Sequence, residues 1–289
     1  MIVTKHNYYM EKSMVSIMDQ IAERLTGKGN QDAVLLCEGA EGDGKTTMSI
    51  AVAFYVAEKT NREFSEKQVF FDVEKMIEYA QNNEKKIIIW DEPALQALST
   101  DWASKCVKNL SRLLMMARKK RHFIIINMTK FYKFNEYIIV DRSIGMIHVY
   151  SQKNIKPGFF VYIKRDKLES LWRDYRFGKR RNYKKYYARK IHGKFPNVLS
   201  SSYKGNVLSE FDNASYEKAK DKAIMMIGAD TKKDNLDNKD IERLQLYDRL
   251  KEDGKTDVEA AKLMGMHVAT LYRMKKRVVV PKYLAEKGA

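Results

Sequence analysis

Nine consecutive residues, Gly39-Ala40-Glu41-Gly42-Asp43-Gly44-Lys45-Thr46-Thr47, carry the most specific chemistry in the chain. They fit G-x-x-x-x-G-K-[ST], set between the apolar run Ala33 to Cys37 and the helix-forming run Met48 to Ala57, and a strand before and a helix after are what give this motif meaning. Gly39, Gly42 and Gly44 let the backbone curl until successive N–H groups, together with the positive end of the following helix, converge on a phosphate chain. Lys45 would reach the β- and γ-phosphates as a point charge, and the Thr46 hydroxyl would enter a Mg²⁺ shell otherwise made of water and phosphate oxygens. Glu41, Asp43 and Thr47 complete the expected cradle. A plain glycine turn would not require lysine and threonine directly after its last glycine. The expected cofactors are ATP and Mg²⁺.

A second cluster supports the first. The run Ile87-Ile88-Ile89-Trp90 ends in Asp91-Glu92. An acidic residue at the tip of a buried strand can hold the Mg²⁺ water shell beside such a loop, the part read for Asp91. Glu92 is then the base that polarises the attacking water. The next apolar run, Phe123 to Ile126, ends in Asn127, whose amide could orient that water or sense the γ-phosphate, although strands also end in Asn for turn reasons. An arginine offered by a neighbouring subunit often completes such sites. Arg142, Arg118 and Arg121 are the candidates, and the spacing does not choose among them.

These groups need elements to position them. Met14, Ile17, Met18, Ile21 and Leu25 recur at helical spacing, predicting an amphipathic helix over residues 10–25. Short strands are expected over 68–73 and 86–90, a helix over 73–80, and a long helix over 102–120 with Val107, Leu110, Leu113, Leu114 and Ala117 on one face. Continuous β-branched strands alternating with helices predict an α/β fold, a doubly wound and mainly parallel sheet covered on both faces. Beyond Asn127 the rhythm changes. Tyr137-Ile138-Ile139-Val140, Met146 to Tyr150 and Phe159 to Ile163 are apolar runs without helices between them, and Pro157-Gly158 is a turn signal. An antiparallel hairpin extending the sheet is the expectation.

At 289 residues the chain can hold a mid-sized domain and a small one. A formal charge of +17 favours a polyanionic partner, nucleic acid or an anionic membrane surface. No apolar run approaches the about 18 residues that would span a bilayer, and the first residues lack a signal-peptide core, so a cytoplasmic location is expected. The only cysteines, Cys37 and Cys106, read as buried thiols rather than a disulfide or a metal site.

The charge is concentrated. Lys164 to Lys194 holds thirteen Lys or Arg against three acids, a net +10 of the chain's +17. Trp172, Tyr175, Phe177, Tyr183, Tyr186 and Tyr187 lie among them, a mixture suited to phosphate neutralisation with base or sugar stacking. Arg180, Arg181, Lys184, Lys185 and Arg189 are the candidate DNA contacts in this belt, a solvated linker or a membrane-surface helix being the competing readings. A polar stretch over 196–240, with a local helix near 216–227, reads as a linker. After it come helices over 241–250 and 257–264, a turn at Gly265-Met266-His267, and a helix over 268–276. Small Ala261 before a glycine turn allows a close helix crossing, as in helix-turn-helix DNA readers, with Thr270, Tyr272, Arg273 and Lys276 toward groove or phosphates. A helical hairpin for protein contacts is the alternative, and His267 reads as a cap or packing residue.

The loop at Gly39 to Thr46, the strand ending in Asp91-Glu92 and the strand ending in Asn127 resemble P-loop ATPases of the additional-strand, catalytic-glutamate division. The hairpin after Asn127 and the lack of a helical lid make residues 30–165 look more like the FtsK–HerA branch, with its Zot-like and viral packaging ATPases, than like AAA+ proteins. That resemblance implies a homo-oligomeric ring, hexamer or pentamer, that hydrolyses ATP to move DNA, with a portal or other packaging component as a further partner and a viral or plasmid genome as the setting. The division expected is 1–30 N-terminal helical extension, 31–165 P-loop ATPase domain, 166–195 basic aromatic segment, 196–240 linker, and 241–289 helix-turn-helix domain. Two rivals remain beside a motor: a loader that ATP switches on DNA without translocation, and a regulator in which the helix-turn-helix is primary.

Overall fold

The computed structural model describes residues 2–28, 31–91, 109–111, 113–115, 119–134, 136–152, 156–177, 183–188, 190–200, 210–233 and 238–272. By its internal contacts the chain divides into two compact units, Met1–Ala223 and Ile224–Ala289.

The first unit opens on an antiparallel ribbon, β1 (Ile2–Val3) with β2 (Tyr9–Met10), which the sequence pattern did not suggest. Asn7 at φ +57° closes its turn. Helix α1 (Lys12–Thr26) follows and buries Met14, Met18, Ile21 and Leu25, the predicted stripe. Strand β3 (Ala33–Glu38) is buried at every position, as a central strand covered on both faces must be. Helix α2 (Lys45–Thr60) starts at Gly44 and stops at Asn61, each in the left-handed region. Strand β4 (Val69–Phe70) is shorter than expected because Asp72 ends it. The Asp72 carboxylate accepts from the Glu74 and Lys75 N–H groups and so caps α3 (Val73–Asn82). Strands β5 (Ile87–Trp90) and β6 (Phe123–Met128) are likewise buried throughout. Of the expected long helix the described part is fragmentary, with Leu110, Leu113 and Leu114 buried. The rest of it lies outside the described residues.

The run Tyr137–Arg142 is a wide helical turn, where the sequence shows an apolar run over 137–140 with no helical signal. Ile138 and Ile139 are fully buried in it, and an apolar pair can reach a core from either conformation, so periodicity over four residues could not discriminate. The Ser143 hydroxyl donates back to the Ile139 carbonyl and fixes the exit. Strand β7 (Ser143–Gln152) then runs parallel to β3 and antiparallel to β8 (Lys156–Lys164), the expected hairpin. Helix α4 (Arg165–Arg176) and strand β9 (His192–Lys194) come from the basic belt, and β9 pairs antiparallel with β8.

The sheet order is β4-β5-β6-β3-β7-β8-β9. Its first five strands are parallel, so β6 is an additional strand between β3 and β5. One face packs against α1 and α2 through Leu35, Cys37, Ile89 and Ile125. The other packs against α3 and α4 through Leu36, Ile88, Trp90 and Ile126. Helix α5 (Asn213–Lys233) begins within this unit. Phe211 and Tyr216, from the stretch read as linker, are buried in the same core as α2.

In the second unit, α6 (Asn238–Glu252) and α7 (Asp257–Leu263) meet through Tyr247, Ala260, Ala261 and Leu271. Thr256 and Glu259 form a reciprocal capping box at the start of α7. Gly265, at φ +64°, turns the chain after it. The ring of His267 accepts from the Ala269 N–H at 3.3 Å and so caps the next helical turn.

Candidate nucleotide-binding site

Parallel sheets present their chemistry beyond the carboxyl ends of the strands, where helix N-termini also point. Gly39 leaves β3, Asp91 leaves β5 and Asn127 lies one residue from the end of β6. The register places Cys37 opposite Asn127. Three groups chosen from sequence for one function therefore emerge from neighbouring strands at the same edge.

The loop is shaped by its glycines. Gly42 and Gly44 have φ of +83° and +94°, a region in which side chains are strained. At Gly39 a Cβ would stand 2.5 Å from the Val149 carbonyl oxygen, so only glycine lets the loop leave β3 against β7. Hydrogen bonds then fix the curl. The Ala40 N–H donates to Asp43 Oδ2 at 3.0 Å, and the Ser151 hydroxyl donates to Asp43 Oδ1 at 2.5 Å. The Lys45 ammonium donates to the Ala40 carbonyl at 2.9 Å, which keeps the charge on the loop itself. Lys45 is buried, whereas Glu41 is exposed and Thr47 half-buried.

Behind the loop lies a network of oxygens. Thr46 Oγ1 is 2.9 and 3.1 Å from the two carboxylate oxygens of Asp91. Asn127 Nδ2 donates to Asp91 Oδ1 at 2.7 Å, and Ser49 in α2 donates to Asn127 Oδ1 at 2.5 Å. Asn127 is thus committed to orienting Asp91, through an amide satisfied on both sides. A hydroxyl beside one carboxylate is a hard donor set that suits Mg²⁺, which takes few protein ligands and keeps water and phosphate oxygens for the rest. Among the described residues no group of three His, Cys, Asp or Glu could hold a metal by itself. The residues present fit Mg²⁺ brought with a phosphate chain. Cys37, under the loop, is fully buried, and burial pushes its thiol up to about 12, so it stays protonated and unreactive.

The fold is P-loop NTPase-like. No family model matches the chain, and no curated protein matches it. Among solved structures, a KaiC-like protein from the hyperthermophilic archaeon Pyrococcus horikoshii OT3 overlaps 47% of this chain and 79% of its own length, at 18% identity and a TM-score of 0.32. Strand order, the glycine loop and the Thr46–Asp91 contact are the features of a P-loop NTPase-like fold.

Other expected site residues lie elsewhere. Arg142 immediately precedes β7 and pairs with buried Asp32, which immediately precedes β3. Six residues of β3 separate that edge from the loop, about 20 Å. The structure therefore does not bring Arg142 to the loop of its own chain, and its ion pair ties two strand starts together. Arg121 also stands at that edge, its carbonyl accepting from Arg62 at 2.9 Å. Glu92, Arg118, Arg180, Arg181, Arg189, Arg273 and Lys276 lie outside the described residues. Lys184 and Lys185 are exposed, Lys185 pairing with Asp174 at 2.5 Å. Thr270 and Tyr272 are exposed in the second unit.

Two side chains at the site had no signal in the sequence. The ring of Phe195 lies over the loop, where a Cβ on Gly44 would be 3.1 Å from it. The Tyr216 hydroxyl donates to Asp91 Oδ2 at 2.8 Å.

Proposed function

We propose that the chain is a Mg²⁺-dependent ATPase that acts on DNA, with Lys45 and the loop N–H groups holding the phosphates and Thr46 and Asp91 holding the metal. The observation that carries this reading is the direct contact of Thr46 with Asp91 beside a loop whose glycines are sterically required. Bound Mg²⁺ would neutralise charge developing on the phosphates. Glu92, next to Asp91 in sequence, is the proposed base for the attacking water. Asn127 works through Asp91, holding the carboxylate that faces Thr46.

Three features favour DNA as the partner. The net charge is +17, and more than half of it lies in the belt. Helix α4 buries Leu168, Leu171 and Trp172 and so turns its basic residues outward. Lys164, Arg165 and Lys190 line an open cleft of about 500 Å³ together with Ser13, Ser16 and Gln20 of α1. Several belt aromatics have structural work instead of free faces. Trp172 Nε1 donates to the Phe134 carbonyl at 3.2 Å, and Tyr175 packs 5.0 Å from Phe131. Phosphate neutralisation, with its steep salt dependence, therefore carries more of the proposed DNA affinity than stacking does.

The finer reading is a ring-forming translocase of the FtsK–HerA kind, recruited through a helix-turn-helix in the second unit and engaged in packaging or mobilising a genome. The small-residue crossing at Ala260 and Ala261 supports that reading of the second unit. The test is ATP hydrolysis with and without DNA, beside triplex displacement. A motor shows hydrolysis stimulated by DNA and displacement that stops in Glu92→Gln. Stimulated hydrolysis without displacement favours a loader, and DNA binding indifferent to Lys45→Ala and Glu92→Gln favours a regulator.

A further inference from the structure

Asp91 is not held by the sheet and the loop alone. Its third donor, Tyr216, stands 125 positions away in sequence, in the first turn of α5. Tyr216 is 3% exposed. It packs 5.7 Å from Phe71 and 5.8 Å from Phe211, and Phe211 lies 6.4 Å from both Phe54 and Phe64. The turn that aims it is also fixed: Asp212 accepts from the Ser215 N–H at 3.0 Å and from the Ser215 hydroxyl at 2.6 Å. The hydroxyl is the donor in this contact, because an ionised carboxylate can only accept.

A carboxylate offers about four lone-pair sites. Asn127 takes one on Oδ1, Tyr216 one on Oδ2, and Thr46 a third. Asn127 and Tyr216 approach opposite oxygens, so the plane of the carboxylate is set from both sides. Groups that orient a metal's ligands tune its affinity, their loss typically costing about 10- to 100-fold.

We propose that Tyr216 is a positioning residue of the nucleotide site, so that the site is complete only when residues 211–216 are docked, and that Mg²⁺–nucleotide in turn stabilises that docking. The inference rests on the ATPase reading of Thr46 and Asp91. The second half follows from the first because coupling between two binding events is reciprocal.

Tyr216→Phe keeps the ring in its aromatic cluster and removes only the hydroxyl. With the full chain and a fluorescent ATP analogue, the Mg²⁺ midpoint for binding should rise about tenfold, while affinity for the analogue without Mg²⁺ stays as in the parent. In the parent, Mg²⁺–ADP should slow amide exchange at Ser215 and Tyr216, and in Tyr216→Phe it should not. A lowered melting temperature with an unmoved Mg²⁺ midpoint would make Tyr216 a core residue only and overturn the proposal. Asp91→Asn, run in parallel, separates the two failures. An unmoved midpoint there removes the ATPase reading of Asp91 and the proposal with it, whereas a shift there but not in Tyr216→Phe removes the role of Tyr216 alone.

Discussion

Gly39 shows how narrowly single residues shape this site. Its missing side chain is what lets the loop leave β3 past the Val149 carbonyl, and Gly39→Ala should cost about 2 kcal/mol through overpacking. Nucleotide affinity should fall in the same variant, because the loop would have to move to relieve the contact. Thermal unfolding and nucleotide titration of that variant check both effects, and a full-affinity, fully stable Gly39→Ala would refute the packing argument. Arg142 makes the opposite point. Its guanidinium is mostly buried against buried Asp32, and removing one member of such a pair leaves an uncompensated charge. Arg142→Ala is therefore expected to lose about 3 kcal/mol of stability while the loop from Gly39 to Thr47 keeps its geometry. A stable Arg142→Ala with hydrolysis abolished would instead return this arginine to catalysis.

Among elements, β5 and β6 are held at their starts by His122. The Lys86 N–H donates to His122 Nδ1 at 3.1 Å, so the proton is on Nε2, which faces the Ala80 carbonyl at 2.9 Å. Burial, with smaller contributions from Arg62 and Lys120, holds His122 below its ordinary value of 6.5, against the pull of the Ala80 carbonyl. The unfolded chain then takes up the proton first on acidification. The stability contributed is present above about pH 6.5 and is lost as pH falls toward the lowered folded value. Melting temperatures at about pH 7 and pH 5 should therefore differ less in His122→Asn than in the parent; an equal difference would remove His122 as a source of acid sensitivity. The same elements show what could be read from the chain. Strands β3, β5 and β6 were legible because burial on both faces demands unbroken apolar runs, and Asp91 and Asn127 were legible as the polar residues at the carboxyl ends of β5 and β6. The turn at Tyr137–Arg142 was not, since four apolar residues fit a buried turn and a buried strand equally well. Phe211 and Tyr216 were hidden for a different reason. Two isolated aromatics in a polar stretch have no period, and only the tertiary fold shows that they dock beside Asp91.

For the molecule as a whole, the concentration of charge makes a quantitative claim. If the belt meets DNA phosphates, neutralising Arg180, Arg181, Lys184 and Lys185 together should flatten the dependence of log affinity on log salt by about 0.9 for each residue that contacts duplex phosphate. An unchanged slope would make the belt a structural segment, which its β9 pairing and α4 packing would suffice to explain. The DNA reading and the nucleotide reading are separable, and the second is the foundation. Its most direct test is calorimetric titration of Mg²⁺–ATP into the parent and into Lys45→Ala. The account predicts that the parent binds and that Lys45→Ala, having lost the buried ammonium of the loop, binds at least about tenfold more weakly. Equal affinity in the two proteins would contradict it.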